Sequence, residues 1–238
     1  MGEVAVTGTL AVMQPTFLPW AGYFNLIAQA DDFVFLDDVQ LEKQSWQTRN
    51  RLILNGQVKW VIAPVLHDGL SQTIAETQVV DARHWREKLA RGFAQNYGKH
   101  AHYREAREMI DLLADHPSSS LTELNEAAIC LASIKLGLSA RIHRASKLGA
   151  NGVRTEKLVE LCKIFNAEEY LSPVGAAEYL GEDGFTDKSS ARLRYQKYVP
   201  LAYPQRGNGI FQSHLSILDV VANIGWNNAK KYVETGSV

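Results

Sequence analysis

The first forty residues carry a strand–helix–strand pattern, and this pattern restricts the chain to folds built on a parallel sheet. The apolar run Leu10–Met13 predicts a strand that ends in a loop at Pro15. Apolar side chains then recur at helical spacing at Trp20, Phe24 and Ile27. The run Phe33–Leu36 predicts a second, buried strand. Strands joined through a helix in this way are parallel, with a right-handed crossover.

A second passage of the same kind follows later in the chain. Arg141–Ala145 and Glu169–Leu171 are strand-like, and the segment between them has one apolar helical face, made of Leu158, Leu161, Cys162 and Phe165. We therefore predict an α/β fold with a Rossmann-like, nucleotidylyltransferase-like sheet that is mostly parallel. Because 238 residues lie within the range of one domain, we expect a single domain over residues 1–238.

Between these two strand–helix–strand passages, the sequence predicts two elements that do not belong to the parallel sheet. Arg51–Leu54 and Val58–Ile62 are β-prone and flank Asn55-Gly56, the dipeptide that best tolerates a type I′ turn. They predict a β-hairpin. The periodicity then becomes helical, and we expect a mainly helical insertion at about 84–138.

Shorter segments carry weaker patterns. Thr73–Val80 is β-prone and predicts a further strand. Gly181–Ser190 is rich in Gly, Asp and Ser, which is typical of either a lid or a surface turn. Two helix starts have the form of a capping box, namely Ser120 with Glu123 and Ser216 with Asp219.

Composition and charge exclude several classes of function. The formal net charge is -1 and the pI is near 6.7, so no overall positive field attracts nucleic acid or an anionic membrane. No basic leader precedes an apolar run, and no run approaches the roughly 20 residues that span a bilayer, which favours the cytoplasm. Cys130 and Cys162 lie among apolar residues as buried thiols, and no His or Cys cluster has the spacing of a metal site.

The loop after the first strand is the first candidate for ligand binding, and it contains Gln14, Pro15, Trp20 and Tyr23. It leads into a helix whose N–H groups attract anions, at the edge where open α/β sheets bind ligands. The position is similar to the signature loop of nucleotidylyltransferases, but their paired histidines are absent here. Binding of a nucleotide or sugar nucleotide is one interpretation, and a proline-rich turn with core aromatics is the other.

Carboxylates and hydrogen-bonding side chains follow the second predicted strand. Asp37 and Asp38 lie at its carboxyl end, where a carboxylate serves as acid or base, holds a sugar hydroxyl or binds Mg²⁺. Consecutive strand residues point to opposite faces, so we expect one at the site and a capping role for the other. The next segment contains Gln44, Trp46, Arg49 and Asn50. The Trp46 ring can stack on a sugar or a base, and the amide and guanidinium groups can bind hydroxyls and phosphates. A solvated loop is the alternative for that segment.

Three candidates lie late in the chain. His214 is the best single candidate for a general base, because the pKa of an unperturbed imidazole lies near neutrality, and capping or packing is its alternative role. Tyr203 and Gln205 are expected to close over the first half of the chain as substrate-binding residues.

These residues carry a resemblance to a known family. The segment MQPTFLPWAGYFNLIAQADDFVFLDDVQLEKQSWQTRNRLILNGQVKWVIAPV resembles the opening of the WbqC-like protein family. The similarity continues through EYLSPVGAAEYL, the YPQ segment and HLSILDVVANIG, so it covers nearly the whole chain. One departure is Pro173, where the family pattern leads us to expect glycine. The motif residues that carry over are Gln14, Pro15, Trp20, Tyr23, Asp37, Asp38, Gln44, Trp46, Arg49, Asn50, Tyr203, Gln205, Ser216 and Asp219.

The resemblance implies a role in bacterial surface-polysaccharide or related biosynthesis, with an amino acid, glycine among the candidates, attached to an amino sugar. Our leading hypothesis is a transferase that joins an acyl or aminoacyl group to an amine on a nucleotide-linked sugar, with His214 or an aspartate removing the proton. Two alternatives stay open. One is an ATP- and Mg²⁺-dependent ligase or nucleotidylyltransferase-like enzyme, and the other is a non-catalytic module that binds a glycan or nucleotide sugar. The residues do not define a cofactor or an oligomeric state.

Overall fold

A computed structural model describes residues 8–69, 71–80, 82–206 and 209–238 of the chain. The chain divides into two compact units. The sheet unit contains the described part of Met1–Gln14 together with Leu26–Asp37 and Ser139–Lys197, and the helical unit contains Pro15–Asn25, Asp38–Leu138 and Tyr198–Val238. The single domain expected over residues 1–238 stays a prediction.

Strands and helices together account for most of the described residues. The strands are β1 (Thr9–Met13), β2 (Asp32–Phe35), β3 (Arg49–Leu54), β4 (Gln57–Ile62), β5 (Arg141–Arg144), β6 (Glu169–Ser172) and β7 (Arg192–Tyr195). The helices are α1 (Ala21–Ala28), α2 (Ala82–Tyr97), α3 (Tyr103–Asp115), α4 (Leu121–Leu136), α5 (Thr155–Ile164), α6 (Ala177–Glu182), α7 (Phe185–Lys188) and α8 (Ile217–Thr235). Over the residues described, no helix combines the length and apolar character that a membrane span requires.

The sheet unit is built on five strands in the order β5-β2-β1-β6-β7. Each neighbouring pair in this order is parallel, which confirms the predicted α/β fold with a parallel sheet. Strands β2 and β6 are buried along their whole length, as is usual for central parallel strands. The four strands predicted for this sheet are present as β1, β2, β5 and β6. Strand β7 was not predicted, because it has only four residues and two of them are arginines.

Helix α5 packs its predicted apolar face into the core of the sheet unit. Leu158, Leu161 and Cys162 are buried in one cluster with Leu10 of β1 and Tyr170 of β6. Burial raises the pKa of the Cys162 thiol to about 12, so the thiol stays protonated and inert at neutral pH. This cysteine therefore acts as a small apolar residue, as the sequence predicts.

Buried carboxylates at the start of the inner strands hold arginines of the edge strands. Glu169 begins β6, and its carboxylate accepts hydrogen bonds from Arg192 and, at 2.6 Å, from Arg194 Nε. Asp32 begins β2 in the same way and accepts at 2.8 Å from Arg141 Nε. Burial disfavours the charge of Glu169, but the arginine hydrogen bonds outweigh it and lower the pKa of Glu169.

The helical unit contains the predicted hairpin and the predicted helices. Strands β3 and β4 pair antiparallel with Leu54 opposite Gln57. Asn55 and Gly56 have φ angles of 54° and 72°, the signature of a type I′ turn. Helices α2, α3 and α4 cover the predicted insertion. Helix α3 packs against α2, α4 and α8, and α4 also packs against α8. The cap of α4 is confirmed, because the Ser120 side chain accepts from the backbone N–H three residues on.

Two weaker predictions were wrong. Thr73–Val80 forms turns and isolated bridges instead of a strand, because the Glu76 carboxylate accepts from both the backbone N–H and the hydroxyl of Thr73 at 2.9 Å. Gly181–Ser190 is largely helical, in α6 and α7, and its Phe185 is buried in the core of the sheet unit. It therefore forms two short helical pieces at the surface that Phe185 anchors, rather than a lid or a simple turn.

Exchange of Glu169 for glutamine is predicted to destabilise the chain by about 1–3 kcal/mol at neutral pH, since the buried carboxylate that accepts from Arg192 and Arg194 is replaced by a neutral amide. The pKa of Glu169 is lowered on folding, so its stabilising contribution is present above its unfolded pKa and is lost as the pH falls through the folded pKa. Urea unfolding at several pH values measures the difference between wild type and Glu169→Gln. The exposed Glu182→Gln is the matched control, and a pH-independent deficit would contradict the assignment.

Candidate functional site

The predicted site residues are divided between the two units. Gln14 and Asp37 belong to the sheet unit. The others belong to the helical unit, namely Pro15, Trp20, Tyr23, Asp38, Gln44, Trp46, Arg49, Asn50, Tyr203, Gln205 and His214. The candidate site is therefore built within the helical unit.

Asp37 has the capping role that was expected for one aspartate of the pair. Its two oxygens accept from the backbone N–H of Ser146 at 2.9 Å and from the Ser146 hydroxyl at 2.6 Å. The side chain is buried and fixes the turn that follows β5. Asp38 is half-buried in the helical unit and stays the aspartate predicted for chemistry.

Buried amides hold the first loop against the segment that carries Trp46. Asn125 of α4 donates to the carbonyl of Pro15 at 3.0 Å and to that of Gln47 at 2.9 Å. The backbone N–H of Phe17 donates to the carbonyl of Trp46 at 2.9 Å. Asn125 was missed because nothing in its local helical pattern indicates partners 78 and 110 residues away.

Some predicted substrate ligands are buried supports of this arrangement. Asn50 donates to the carbonyl of Phe17 at 3.0 Å and accepts from the backbone N–H of Arg51 at 2.8 Å. Tyr23 is buried, and burial raises the pKa of its hydroxyl well above the usual range. These two side chains position the loop rather than present polar groups to solvent. Gln44 is exposed at a turn with a φ of 55°.

The most exposed aromatic side chains of the hairpin region lie together with two arginines. Trp46 and Trp60 are 44% and 42% exposed, and their ring centroids are 5.1 Å apart. The guanidinium of Arg49 lies 4.2 Å from the centroid of Trp60, and that of Arg51 lies 5.6 Å from the centroid of Trp46. We call these four residues the tryptophan–arginine face. Exposed tryptophans interleaved with cations are typical of a binding surface.

The hairpin explains why this face forms. Arg49 and Arg51 are two residues apart on β3 and so point to the same side of the strand. Trp60 is the cross-strand partner of Arg51 on β4. The sequence predicted the hairpin, so Trp60 was identifiable as the residue opposite Arg51, although it was not singled out. The Nε atoms of both arginines are buried and have no hydrogen-bond partner among the described residues.

His214 is fixed at the edge of this face. Its ring lies 4.5 Å from that of Trp20, and its carbonyl accepts from the Arg51 guanidinium at 3.1 Å. The backbone is held at a φ of 57°, a strained conformation for a residue other than glycine. The N–H of Ser216 maintains it by donating to the carbonyl of Arg51 at 3.0 Å. Burial, and then the nearby charge of Arg51, lower the pKa of His214, so its imidazole is neutral at pH 7.

A buried carboxylate anchors the opposite end of β3. Asp219 accepts from the hydroxyls of Tyr97 at 2.7 Å and Tyr203 at 2.5 Å, and from the amide of Gln205 at 2.8 Å. The Tyr97 oxygen in turn accepts from the backbone N–H of Ile53 on β3 at 3.0 Å. Tyr203 and Gln205, which were predicted to bind substrate, therefore hold this carboxylate.

The capping-box prediction for Asp219 was wrong. Ser216 is the N-cap of α8 and accepts from the N–H of Leu218, but the Asp219 carboxylate faces the two tyrosines instead. Burial raises the pKa of Asp219 despite its hydrogen bonds. Local spacing could not reveal this role, because Tyr97 lies 122 residues away.

A protein metal site requires several ligating side chains close together. Across the residues that the structure covers, no group of three or more His, Cys, Asp or Glu side chains is arranged to hold a metal ion. The chemical groups that the helical unit does present together are adjacent indole rings, guanidinium donors and a neutral imidazole. Such a set can bind a planar ring and an anion and can accept a proton.

Comparison with known proteins gives a family relationship. The model of the family described as "WbqC-like protein family" matches residues 14–231. A protein of Mycobacterium tuberculosis (strain ATCC 25618 / H37Rv), named "Uncharacterized protein Rv1507c", is 31% identical over 218 residues, which cover 91% of this chain and 94% of that protein. No solved structure matches.

The raised pKa of Asp219 predicts a pH dependence of stability opposite to that of Glu169. Its favourable contribution is full below its unfolded pKa and is lost as the pH rises through the folded pKa. Asp219→Asn cannot titrate, so the stability advantage of wild type over this variant should shrink as the pH rises above about 4. Urea unfolding measures it, with the exposed Asp115→Asn as control. An advantage that grows with pH would refute the raised pKa.

Proposed function

This chain belongs to the WbqC-like protein family, and from that premise we propose that it is a transferase that joins an acyl or aminoacyl group to the amine of a nucleotide-linked amino sugar. Glycyl is among the candidate groups. The tryptophan–arginine face is the observation that supports this proposal most directly. It offers two exposed rings 5.1 Å apart beside two guanidinium groups, and nucleotide sugars consist of rings joined by a diphosphate.

In this proposal the rings of Trp46 and Trp60 stack on the base or the sugar, and the guanidinium groups bind the diphosphate. The partnerless Nε atoms of Arg49 and Arg51 favour an anion in particular. A buried donor without an acceptor costs about 1–3 kcal/mol, and a phosphate oxygen would remove that cost. Asp38 and Gln44 would then hold sugar hydroxyls, and Trp20 would support His214.

His214 is the proposed general base. The amine nitrogen of the acceptor attacks the acyl carbon of an activated donor, a C–N bond forms, and the bond from the acyl carbon to the leaving group breaks. The proton lost by the amine passes to the His214 imidazole, and the leaving group departs with the bonding electrons. An imidazole that is neutral at pH 7 is in the form that accepts this proton.

We also propose a more specific fold for the sheet unit and a biological setting for the protein. Numbered within the sheet, the strand order β5-β2-β1-β6-β7 is 3-2-1-4-5, which is the order of the doubly wound Rossmann fold without its sixth strand. We therefore propose that the sheet unit is Rossmann-like. The family resemblance supports a cytoplasmic role in surface-polysaccharide or related biosynthesis, with a nucleotide-linked sugar as partner. The role predicted for Gln14, at the end of β1, stays a prediction.

Loss of one ring of the face should weaken binding of the acceptor. Trp46→Ala is predicted to reduce affinity for the nucleotide-linked amino sugar about tenfold or more, since stacking on an aromatic ring contributes roughly 1–3 kcal/mol. Titration calorimetry across a panel of nucleoside diphosphate-linked amino sugars measures this. Trp46→Phe keeps a ring and should retain most of the affinity, and the exposed Ile134→Ala is the control for an apolar residue away from the face. Equal affinity in Trp46→Ala and wild type would exclude the face as the site.

Removal of the proposed base should affect turnover more than binding. His214→Ala is predicted to lower kcat about 10²–10⁴-fold with little change in KM. In wild type, kcat should rise with pH as His214 loses its proton and level off above the lowered pKa. Mass spectrometry detects the acylated sugar with a glycyl thioester as donor, or with glycine and ATP in a separate arm. The exposed His67→Ala is the control.

The two arms also separate the alternatives. If product formation requires ATP and releases pyrophosphate, the protein is a ligase rather than a transferase. If the acceptor binds but no product forms in either arm, the protein is a nucleotide-sugar binding module.

A further inference from the structure

A second group of polar residues in the helical unit lines an open cavity. The cavity has a volume of about 390 Å³ and is lined by Lys99, His100, Ala101, Pro204, Gln205, Arg206 and Asn223. A neighbouring cavity of about 220 Å³ shares His100 and Arg206 with it. The larger volume lies within the range of about 300–1,000 Å³ that is typical of small-molecule sites. None of these residues has a role in the proposed transfer step.

The charges that line the cavity are positive. Lys99 and Arg206 are cationic, and among the described residues neither is paired with a carboxylate. The Arg206 side chain donates to the backbone carbonyl of Lys99, which fixes the guanidinium at the wall. Its own backbone N–H donates to the amide oxygen of Asn223 at 2.9 Å. The cationic side of the cavity is therefore organised before any ligand arrives.

His100 lines the same cavity and has a ring nitrogen without a hydrogen-bond partner in the described part of the chain. Its Nδ1 lies 3.1 Å from the carbonyl oxygen of Tyr97. A carbonyl only accepts, so Nδ1 carries the proton and the neutral ring leaves a lone pair at Nε2. That Nε2 atom is buried and has no partner among the described residues. A buried atom of this kind costs stability unless a ligand or a proton occupies it.

We propose that this cavity is a binding site for the phosphate group of a phosphorylated small molecule, held by His100 Nε2, Arg206 and Lys99. In this proposal protonation turns Nε2 into a hydrogen-bond donor for the oxyanion once the ring turns toward it, and the guanidinium adds charge-assisted hydrogen bonds. The apolar walls at Ala101 and Pro204 and the volume beyond one phosphate accommodate an organic part. This site stands apart from the tryptophan–arginine face and does not depend on the proposed function.

The proposed site has a characteristic response to pH. Burial lowers the pKa of His100, and the charge of Arg206 lowers it further, whereas the charge of Asp219 raises it. Lys99 and the hydroxyl of Tyr97 are the other titratable groups around the ring. His100 is therefore neutral in the free protein at pH 7 and takes up a proton when an anion binds. Affinity for an oxyanion should rise as the pH falls.

Titration calorimetry of the full chain with inorganic phosphate, ribose 5-phosphate and acetate tests the site. Saturable binding of phosphate is expected, with His100→Gln and Lys99→Gln each weakening it about tenfold. Lys99→Gln leaves the backbone carbonyl that fixes Arg206 in place, so it tests charge without loss of that contact. Tighter binding of ribose 5-phosphate than of phosphate identifies a phosphorylated small molecule, and equal binding identifies free phosphate. Preference for acetate would overturn the phosphate assignment.

Sulfate is the ligand with which the pH dependence of binding is measured, because it stays dianionic between about pH 5.5 and 8 while His100 titrates. Wild type should bind sulfate more tightly at the lower pH, and His100→Gln should lose that dependence. The exposed Arg104→Gln is the control for general charge. Absence of saturable phosphate binding, or an equal loss in Arg104→Gln and Lys99→Gln, would overturn the proposal.

Discussion

The hydrogen bonds that converge on the Asp219 carboxylate hold together the segments of the helical unit that carry the candidate sites. Tyr97 comes from the end of α2, Tyr203 and Gln205 come from the segment before α8, and Asp219 itself lies in the first turn of α8. Through its oxygen, Tyr97 also fixes the backbone of β3. A fully buried carboxylate is costly, and only a complete set of donors makes it tolerable. The network therefore specifies one arrangement of these elements rather than simply adding stability.

Both candidate sites are built outward from this network. At one end of β3, the strand places Arg49 and Arg51 beside the tryptophans, and the N–H of Ser216 binds β3 to the start of α8 next to His214. At the other end, Gln205 and the residue after it form the wall of the cationic cavity. Rigid support of this kind keeps exposed rings and guanidinium groups in place without a ligand, and it reduces the entropy lost on binding.

Sequence reasoning succeeded where local patterns determine local structure. The parallel strands, the type I′ turn at Asn55-Gly56 and the cap at Ser120 each follow from a few neighbouring residues, and each is present. The WbqC-like family was also identified from the sequence alone. Trp46 and Arg49 were predicted as binding residues for their chemistry, and both contact Trp60, but their role in binding stays a prediction.

Predictions from the sequence were wrong or incomplete where a residue's partners lie far away along the chain. Asp219 has the spacing of a capping box, yet its carboxylate is bound by residues from two other segments. Asn50 and Tyr23 are residue types that often bind ligands, but here both are buried and support the first loop. The cavity joins His100 to Arg206, residues far apart in the chain and in loops without any periodic signal. Such groupings depend on tertiary packing, which no single window of sequence reveals.

The central claim is that the tryptophan–arginine face binds a nucleotide-linked amino sugar, and the indole N–H signals of ¹⁵N-labelled protein test it directly. Trp226 provides the internal control, because its indole N–H already donates to the backbone carbonyl of Glu105. Trp85 does not serve as a control, because its indole N–H donates to the carbonyl of Ile62, on the same strand as Trp60. We predict that titration with members of the nucleotide-sugar panel shifts the Trp46 and Trp60 signals saturably and leaves the Trp226 signal in place. A shift confined to Trp226, or no shift with any member of the panel, would contradict this prediction.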